Sequence, residues 1–240
     1  MNSDVLHRVL LALPAWNEEQ SIGKVLQELK VLYPRFDILV INDGSNDSTA
    51  QIAREKGVKI VDHDGNLGYT ASVQTGRVYA LENGYDLLVF IDADGQHRVS
   101  DISRILDPVI RGDADQVRGS RELGKYEWKE PLYLKIPRWI CSTLVSLKTR
   151  RIVTDATSGF KGENRKVIEH FKLLYETSDK LHQSNTNDIE EHFIAHKKGF
   201  RLMEVPTLMR GREASSTKCY TARQLLKFPL DLIRSFLRNL

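Results

Sequence analysis

Four short apolar runs alternating with stretches of helical period constrain this chain more than any other feature. Residues 8–13 (RVLLAL), 37–41 (DILVI), 58–61 (VKIV) and 87–91 (LLVFI) each read as a strand, the first closed by Pro14. Between them, Ile22, Val25, Leu26 and Leu29 recur at helical spacing, with Glu18 and Glu19 near the helix start, where the helix dipole favours negative charge. Residues 42–49 form a turn that passes into a helix carrying Ile52 and Ala53, and 71–81 reads as a further helix. The alternation predicts an α/β fold with a mostly parallel sheet flanked by helices.

After Asp94 the pattern continues with a helix (Ile102, Ile105, Leu106, Val109, Ile110) and a strand around Gln116-Val117. Residues 121–137 are charged and aromatic with two prolines and read as a loop, and 139–147 as a helix. Residues 172–187 are polar and aperiodic and predict a mobile loop; 189–196 is helical, and 200–205 is a strand stopped by Pro206. Leu226, Leu230, Ile233, Leu237 and Leu240 step by three or four, with Arg223, Lys227, Arg234 and Arg238 elsewhere around the helix. A main domain over 1–218 is therefore expected to be followed by a basic amphipathic helix over 219–240. That helix either packs on the domain or lies on an anionic bilayer.

A chain of 240 residues suits one large domain with such an appendage, and 41% hydrophobic with 28% charged residues describes an ordinary soluble globule. The net charge of +3 is uneven: from Arg210 onward there are seven basic and two acidic residues. A basic tail on a near-neutral body fits a membrane surface or a phosphorylated partner, and without a basic stripe interleaved with aromatics no nucleic-acid partner is expected. The two cysteines, Cys141 and Cys219, have no metal-ligand spacing and suit a reducing cytoplasm. No apolar stretch approaches the ~20 residues a membrane span requires, and 9–13 is too short for a signal peptide. A soluble or membrane-peripheral protein is expected.

Chemistry concentrates in Asp92-Ala93-Asp94-Gly95-Gln96-His97, directly after the strand 87–91. In open α/β sheets, ligands bind outside the carboxyl ends of the strands. Two carboxylates at i and i+2 with the Gln96 amide oxygen make a hard, oxygen-rich set suited to Mg²⁺ or Mn²⁺ shared with substrate phosphates. Loops with further polar residues follow the other strands: Pro14-Ala15-Trp16-Asn17-Glu18-Glu19, Asn42-Asp43-Gly44-Ser45 and Gly119-Ser120-Arg121. A site built from several strand ends suits a nucleotide: a carboxylate for the base, an aromatic beside it, a metal on the diphosphate.

With these motifs together (PAWNEE, NDGSNDST, DADGQH, GSRE, DATSGF, EVP and the RxxSxTK from Arg212), the chain resembles family 2 glycosyltransferases of GT-A fold over about residues 9–218. It is most similar to the polyprenyl-phosphate hexosyltransferases, the dolichol-phosphate-mannose-synthase-like group. The resemblance implies that Pro14, Trp16 and Glu18 border the nucleotide, with Trp16 where the family usually has tyrosine. Ile41 and Asp43 match its base-binding pair; Asn42 replaces an aspartate. Asp92, Ala93, Asp94 and Gln96 match the diphosphate and metal site, with Asp92, Asp94 and Gln96 as ligands. Arg121 matches a diphosphate or acceptor-phosphate contact. Arg212 and Lys218 match a basic pair on a loop that closes over phosphates, where Ser215 and Thr217 replace the family's glycine and serine. Asn66-Leu67-Gly68 resembles the NxG segment.

The implied reaction moves a sugar from a nucleotide-sugar donor with inversion, in one displacement. A polyprenyl phosphate acceptor is already an anion and needs no base; a glycan hydroxyl, the alternative acceptor in cell-wall or capsule assembly, needs a carboxylate. The base candidates are Asp155 and the cluster Asp188, Glu190, Glu191, of which Glu190 matches a family glutamate. Asp188 and Glu191 read more simply as solvated charges on a helix, and the histidines as bland, His97 satisfying a loop carbonyl. A cytoplasmic protein, peripheral at the inner face of the membrane, is expected; whether a membrane-protein partner stands in for an anchor is left open by the sequence. A nucleotidyltransferase is disfavoured because no Gly-rich, Arg/Lys-bearing loop follows the first strand, and retention of the carboxylates argues against a binding module.

Overall fold

The computed structural model describes residues 7–126, 132–177 and 187–211. Seven strands form one sheet: β1 (Val9–Ala15), β2 (Asp37–Asn42), β3 (Lys59–Asp62), β4 (Leu87–Phe90), β5 (Gln116–Tyr126), β6 (Lys161–Asn164) and β7 (Leu202–Met209). Their spatial order is β3-β2-β1-β4-β6-β5-β7. β6 runs antiparallel to β4 and β5, and every other pairing is parallel. Among the described residues seven α-helices accompany them: α1 (Ile22–Leu32), α2 (Thr49–Glu55), α3 (Tyr69–Glu82), α4 (Ile102–Ile110), α5 (Leu132–Thr149), α6 (Arg165–Thr177) and α7 (Asn187–Lys198). This is the expected α/β fold, a mostly parallel GT-A-type sheet between helical layers.

Three of the four apolar runs become the central strands β1, β2 and β4, covered on both faces, while the run at 58–61 becomes the edge strand β3. Alternate residues of β1 serve two cores. Leu11 and Leu13 pack with Ile22, Val25 and Leu26 of α1 and with Ile102 and Ile105 of α4. Leu10 and Ala12 pack with Val73 and Ala80 of α3 and with Ile168 of α6. Each such leucine, fully buried, contributes about 2–3 kcal/mol.

The structure departs from the sequence reading at its weakest signals. Pro14 does not end the first strand: it lies within β1 opposite Ile41, near the strand's end. Pro206 likewise sits inside β7, opposite Ser120, and is tolerated because β7 is an edge strand with one unpaired side. The supposed loop over 121–137 is largely regular, since β5 runs on to Tyr126 and α5 begins at Leu132. Pairing with β7 resumes at Lys125 after a register shift, which hydrophobic periodicity does not reveal. β6 and α6 went unforeseen. β6 (KGEN) is polar, because its Lys161 and Glu163 pair with other buried charges. α6 buries Val167, Ile168, Phe171 and Tyr175 and carries residues 172–177 of the supposed mobile loop; 178–186 lie outside the described residues.

The chain passes from β1 outward through β2 and β3, then returns to lay β4 on the other side of β1. That reversal opens a crevice at the carboxyl ends of β1 and β4. The PAWNEE and DADGQH loops leave from those two ends.

Candidate active site

The loop after β4 is built to present oxygen. Asp94 accepts the Gln96 amide through Oδ1 at 3.0 Å, and Gly95 takes φ 77°, a turn that folds Gln96 back towards Asp94. Gln96 donates its side-chain N–H to the Arg210 carbonyl (3.3 Å), which leaves its carbonyl oxygen as the atom for a cation. The Arg210 amide donates to the Gln96 carbonyl (2.8 Å), and His97 forms a bridge with Met209, so the end of β7 clamps the loop. His97 Nε2 lies 3.2 Å from Asp92 Oδ2, and the ring packs on Phe160 with centroids 4.8 Å apart. The partner of His97 is therefore the Asp92 carboxylate, not a loop carbonyl. Two carboxylates and an amide fit a divalent metal whose remaining ligands are substrate oxygens or water. Among the described residues no cluster of three His, Cys, Asp or Glu side chains forms a complete protein cage.

The loops after β1 and β2 are laced together. Asn17 N–H donates to Ser45 Oγ (3.0 Å), Asn46 N–H to Asn17 Oδ1 (2.8 Å), and Glu18 N–H to Thr49 Oγ1 (2.7 Å). The Glu18 carboxylate accepts Ser21 Oγ at 3.1 Å, just ahead of α1. Pro14 is half-buried and Trp16 exposed, whereas Ile41 and Ala93 are fully enclosed. Asp43 is buried: its Oδ1 accepts Leu67 N–H (2.9 Å), its Oδ2 accepts Gly68 N–H (2.8 Å), and His63 Nδ1 lies 2.8 Å from Oδ1. His63 Nε2 in turn meets Thr75 Oγ1 at 2.9 Å. His63, read as bland, is thus a strut that orients the carboxylate matched to base binding.

Arg121 is locked in place. Its Nε and Nη2 donate to the two oxygens of Asp155 at 2.6 and 2.7 Å, and Nη2 also reaches Thr157 Oγ1 at 2.7 Å. Asp155 is fully buried; burial raises its pKa, but the charge and hydrogen bonds of Arg121, with Arg138 nearby, outweigh this and bring it to about 2. Glu204 of the EVP motif accepts Thr154 N–H (2.7 Å) and Asp155 N–H (2.8 Å), fixing this turn from β7. So placed, Asp155 is a poor base and a firm anchor for Arg121. Its folded pKa lies below the unfolded value near 3.8, so the pair's stabilisation is present above about pH 4 and is lost as pH falls towards 2. Urea midpoints measured across that interval are expected to fall by the equivalent of about 2 kcal/mol. Asp155→Asn is expected to flatten the profile; an unchanged slope would show that the pair does not bear on stability.

The carboxylates of α7 correct the sequence reading. Glu191 is fully buried, and Asp188 is mostly so, within a network of three cations on the α3-facing side of the sheet. Arg77 of α3 donates to both oxygens of Glu163 (2.9 and 2.6 Å) and lies 2.8 Å from Glu191. Arg118 reaches Asp188 (3.2 Å) and Glu191 (3.0 Å), while Lys161 pairs with both. Neither carboxylate is a solvated surface charge. Burial works to raise the pKa of Glu191, but Arg77, Lys161 and Arg118 hold it far below the carboxylate range. Glu190 is buried on the same turn.

Several contributors were not among the predicted site residues. Tyr69 Oη, Ser158 Oγ and His97 Nδ1 are buried and make no hydrogen bond among the described residues. A Cβ at Gly159 would sit 2.3 Å from Tyr69 Oη and 3.6 Å from Asp92 Oδ1, so TSGF brings its glycine against the metal loop. Unsatisfied hydroxyls beside a carboxylate suit a ligand rich in hydroxyl groups. The TSGF spelling was the available clue to Ser158 and Gly159; nothing local marked Tyr69. Arg212, Lys218 and the 219–240 helix lie outside the described residues.

Comparison with known proteins bears on the fold and the family. The fold is similar to that of glucosyl-3-phosphoglycerate synthase from Mycobacterium tuberculosis, solved with Mn²⁺, UDP and phosphoglyceric acid: TM-score 0.72 at 16% identity, covering 99% of this chain and 80% of that one. The UDP-N-acetylglucosamine–dolichyl-phosphate N-acetylglucosaminyltransferase of Methanococcus voltae is 30% identical, covering 82% of this chain and 84% of its own. The polyprenol monophosphomannose synthase of Mycolicibacterium smegmatis is 28% identical, covering 88% and 80%. The sequence pattern of the family described as glycosyl transferase family 2 matches residues 11–171, from β1 into α6. With the strand-end motifs and the GT-A sheet that carries them, that match makes the chain a glycosyltransferase of family 2.

Proposed function

We propose that this glycosyltransferase moves a sugar from a nucleotide-sugar donor to a polyprenyl phosphate, with inversion at the anomeric carbon. The observation that carries the reading is the state of two of the candidate bases, Asp155 and Glu191. Asp155 is bound to Arg121, and Glu191 to three cations, both with lowered pKa. A phosphate acceptor needs no base, whereas a hydroxyl does. Relatives that match more than four-fifths of this chain are named for dolichyl-phosphate and polyprenol transfer, which supports the same acceptor.

In this reading Asp92, Asp94 and Gln96 hold Mg²⁺ or Mn²⁺, which neutralises charge on the donor diphosphate when bound. Pro14, Trp16, Glu18, Ile41 and Asp43 shape the nucleotide end, Asp43 held by His63 and the 66–68 turn. Arg121, immobilised by Asp155, offers a preorganised cation to a phosphate, and Arg212 and Lys218 add further positive charge. An oxygen of the acceptor phosphate attacks the anomeric carbon; the bond to the donor diphosphate breaks, and its electron pair leaves with the nucleoside diphosphate. The protein works as a 1–218 catalytic domain, peripheral to the cytoplasmic face of a membrane, with 219–240 as a basic appendage and without a nucleic-acid partner.

The test is transfer by purified protein with Mn²⁺, offered UDP-, GDP- and dTDP-sugars with and without a short polyprenyl phosphate. Labelled sugar on the lipid is the expected result. Donor turnover with transfer to a glycan hydroxyl instead, abolished by Glu190→Gln, would replace the lipid acceptor and make Glu190 the base.

A further inference from the structure

Helix α5 is inverted relative to an ordinary surface helix. At 3.6 residues per turn, Leu132, Ile136, Trp139, Ile140, Thr143 and Leu147 fall within an arc of about 100°. The opposite face, Arg138, Cys141, Ser142, Val145 and Thr149, is buried against the domain. The stripe should be polar, yet Leu132 is 71% exposed, Trp139 68% and Leu147 70%. Ile136 and Ile140, lying between them, are exposed as well. Single exposed apolar residues need no explanation; a continuous row with a tryptophan at its centre marks a surface that binds something.

The charge around the stripe says what. Residues 132–154 hold no Asp or Glu, and with Arg138 buried against Glu122 the remaining cations of the segment are Lys135, Lys148, Arg150 and Arg151. Lys197 of α7 lies close enough to Lys148 for their charges to interact. A second copy packed here about a two-fold axis would set this cationic rim against itself. The C-terminal segment is also net basic, with seven basic and two acidic residues from Arg210 onward, so it too has the wrong sign. An anionic lipid surface has the right one: acyl chains for the apolar row, headgroups for the lysines and arginines, and an interfacial depth that suits tryptophan.

The buried side of α5 is tied to the site. Arg138 donates to Glu122 at 2.7 and 3.0 Å, one residue from Arg121. Ser142 Oγ accepts the Ala156 amide at 3.0 Å, one residue from Asp155. We infer that α5 is the membrane-docking element: its exposed face of Leu132, Ile136, Trp139, Ile140 and Leu147 lies in the headgroup–acyl boundary of an anionic bilayer. Docking there holds the Arg121–Asp155 pair at the lipid surface, where the phosphate of a membrane-borne acceptor lies. This rests on the polyprenyl-phosphate reading for its purpose, but the docking itself is tested separately.

The full chain would be floated with vesicles of phosphatidylcholine alone or mixed with phosphatidylglycerol. Strong flotation with the mixed vesicles is expected, and Ile136→Glu/Trp139→Glu/Leu147→Glu is expected to reduce the bound fraction at least about tenfold. A tail variant, Arg223→Gln/Lys227→Gln/Arg234→Gln/Arg238→Gln, is expected to keep most of the binding. Quenching of protein fluorescence by brominated lipid is expected to diminish in Trp139→Phe, a change too mild to threaten folding. The triple variant should still transfer sugar to a short, water-soluble polyprenyl phosphate without vesicles. If wild type fails that transfer while flotation follows this pattern, the acceptor reading falls and the docking stands. Docking by α5 is overturned if the triple variant floats like wild type, if only the tail variant loses binding, or if the triple variant turns a dimer into a monomer without altering flotation.

Discussion

Asp94→Ala is expected to lower sugar transfer by about a thousandfold while leaving the protein folded. Asp94 sits at the tip of the loop that leaves the crevice between β1 and β4, and its carboxylate accepts the Gln96 amide. Loss of such a bond costs about 1 kcal/mol, small beside the stability of a domain this size. If Asp94 holds the metal as proposed, its loss is far larger in effect, because the departing diphosphate gains negative charge in the transition state and little else in the loop can offset it. Gln96→Ala removes a neutral ligand and is expected to cost about tenfold. Chelation with EDTA should reproduce the Asp94→Ala loss in wild type, with recovery on adding Mn²⁺ or Mg²⁺. Steady-state transfer alongside a thermal melt checks both halves. Activity within tenfold of wild type, in a folded variant, would move the metal away from this loop.

Glu191→Ala is expected to destabilise the fold by about 3–5 kcal/mol. The side chain is fully buried and faces Arg77, Arg118 and Lys161, all buried as well. Removing it leaves three interior cations to share Glu163 and Asp188, and uncompensated buried charge is among the costliest single changes. Because the folded pKa of Glu191 lies below its unfolded value, its contribution is present above the ordinary carboxylate range and is lost as pH falls through the lowered value. The gap between wild type and variant should therefore be widest near neutrality and narrow below about pH 4. Urea denaturation at neutral and acidic pH reads both. A neutral-pH loss under about 1 kcal/mol would mean that the network relaxes by admitting water.

The two predictions divide the acidic residues by task. Asp92 and Asp94 stand at the end of a strand so apolar that their placement at the sheet edge follows from local pattern alone. Asp155 and Glu191 face inward, each matched by arginine or lysine from another element. Nothing in their neighbourhood of sequence distinguishes these groups. Asp188-Ile189-Glu190-Glu191 reads as a charged helix surface until α3, β5 and β6 are seen to bring cations beneath it.

The strand–helix alternation, the strand ends and the motif loops were legible in the chain itself, because hydrophobic period and turn chemistry are local properties of a few neighbouring residues. The positions of the central strands β1, β2 and β4 followed, as did the loop carrying Asp92, Asp94 and Gln96. β6 and the full lengths of β5 and α5 were not legible, since their polar residues are stabilised by partners far along the chain; α6 was legible and passed over, its Val167, Ile168, Phe171 and Tyr175 recurring at helical spacing. Arg77 and Glu163 are 86 positions apart, and Arg118 and Glu191 are 73 apart. Tertiary structure alone decided which carboxylates are bound to cations from distant elements, and which face of α5 is left apolar in solvent. A carboxylate's pKa and a helix's exposed face depend on what packs against them, and a one-dimensional pattern does not contain that neighbour.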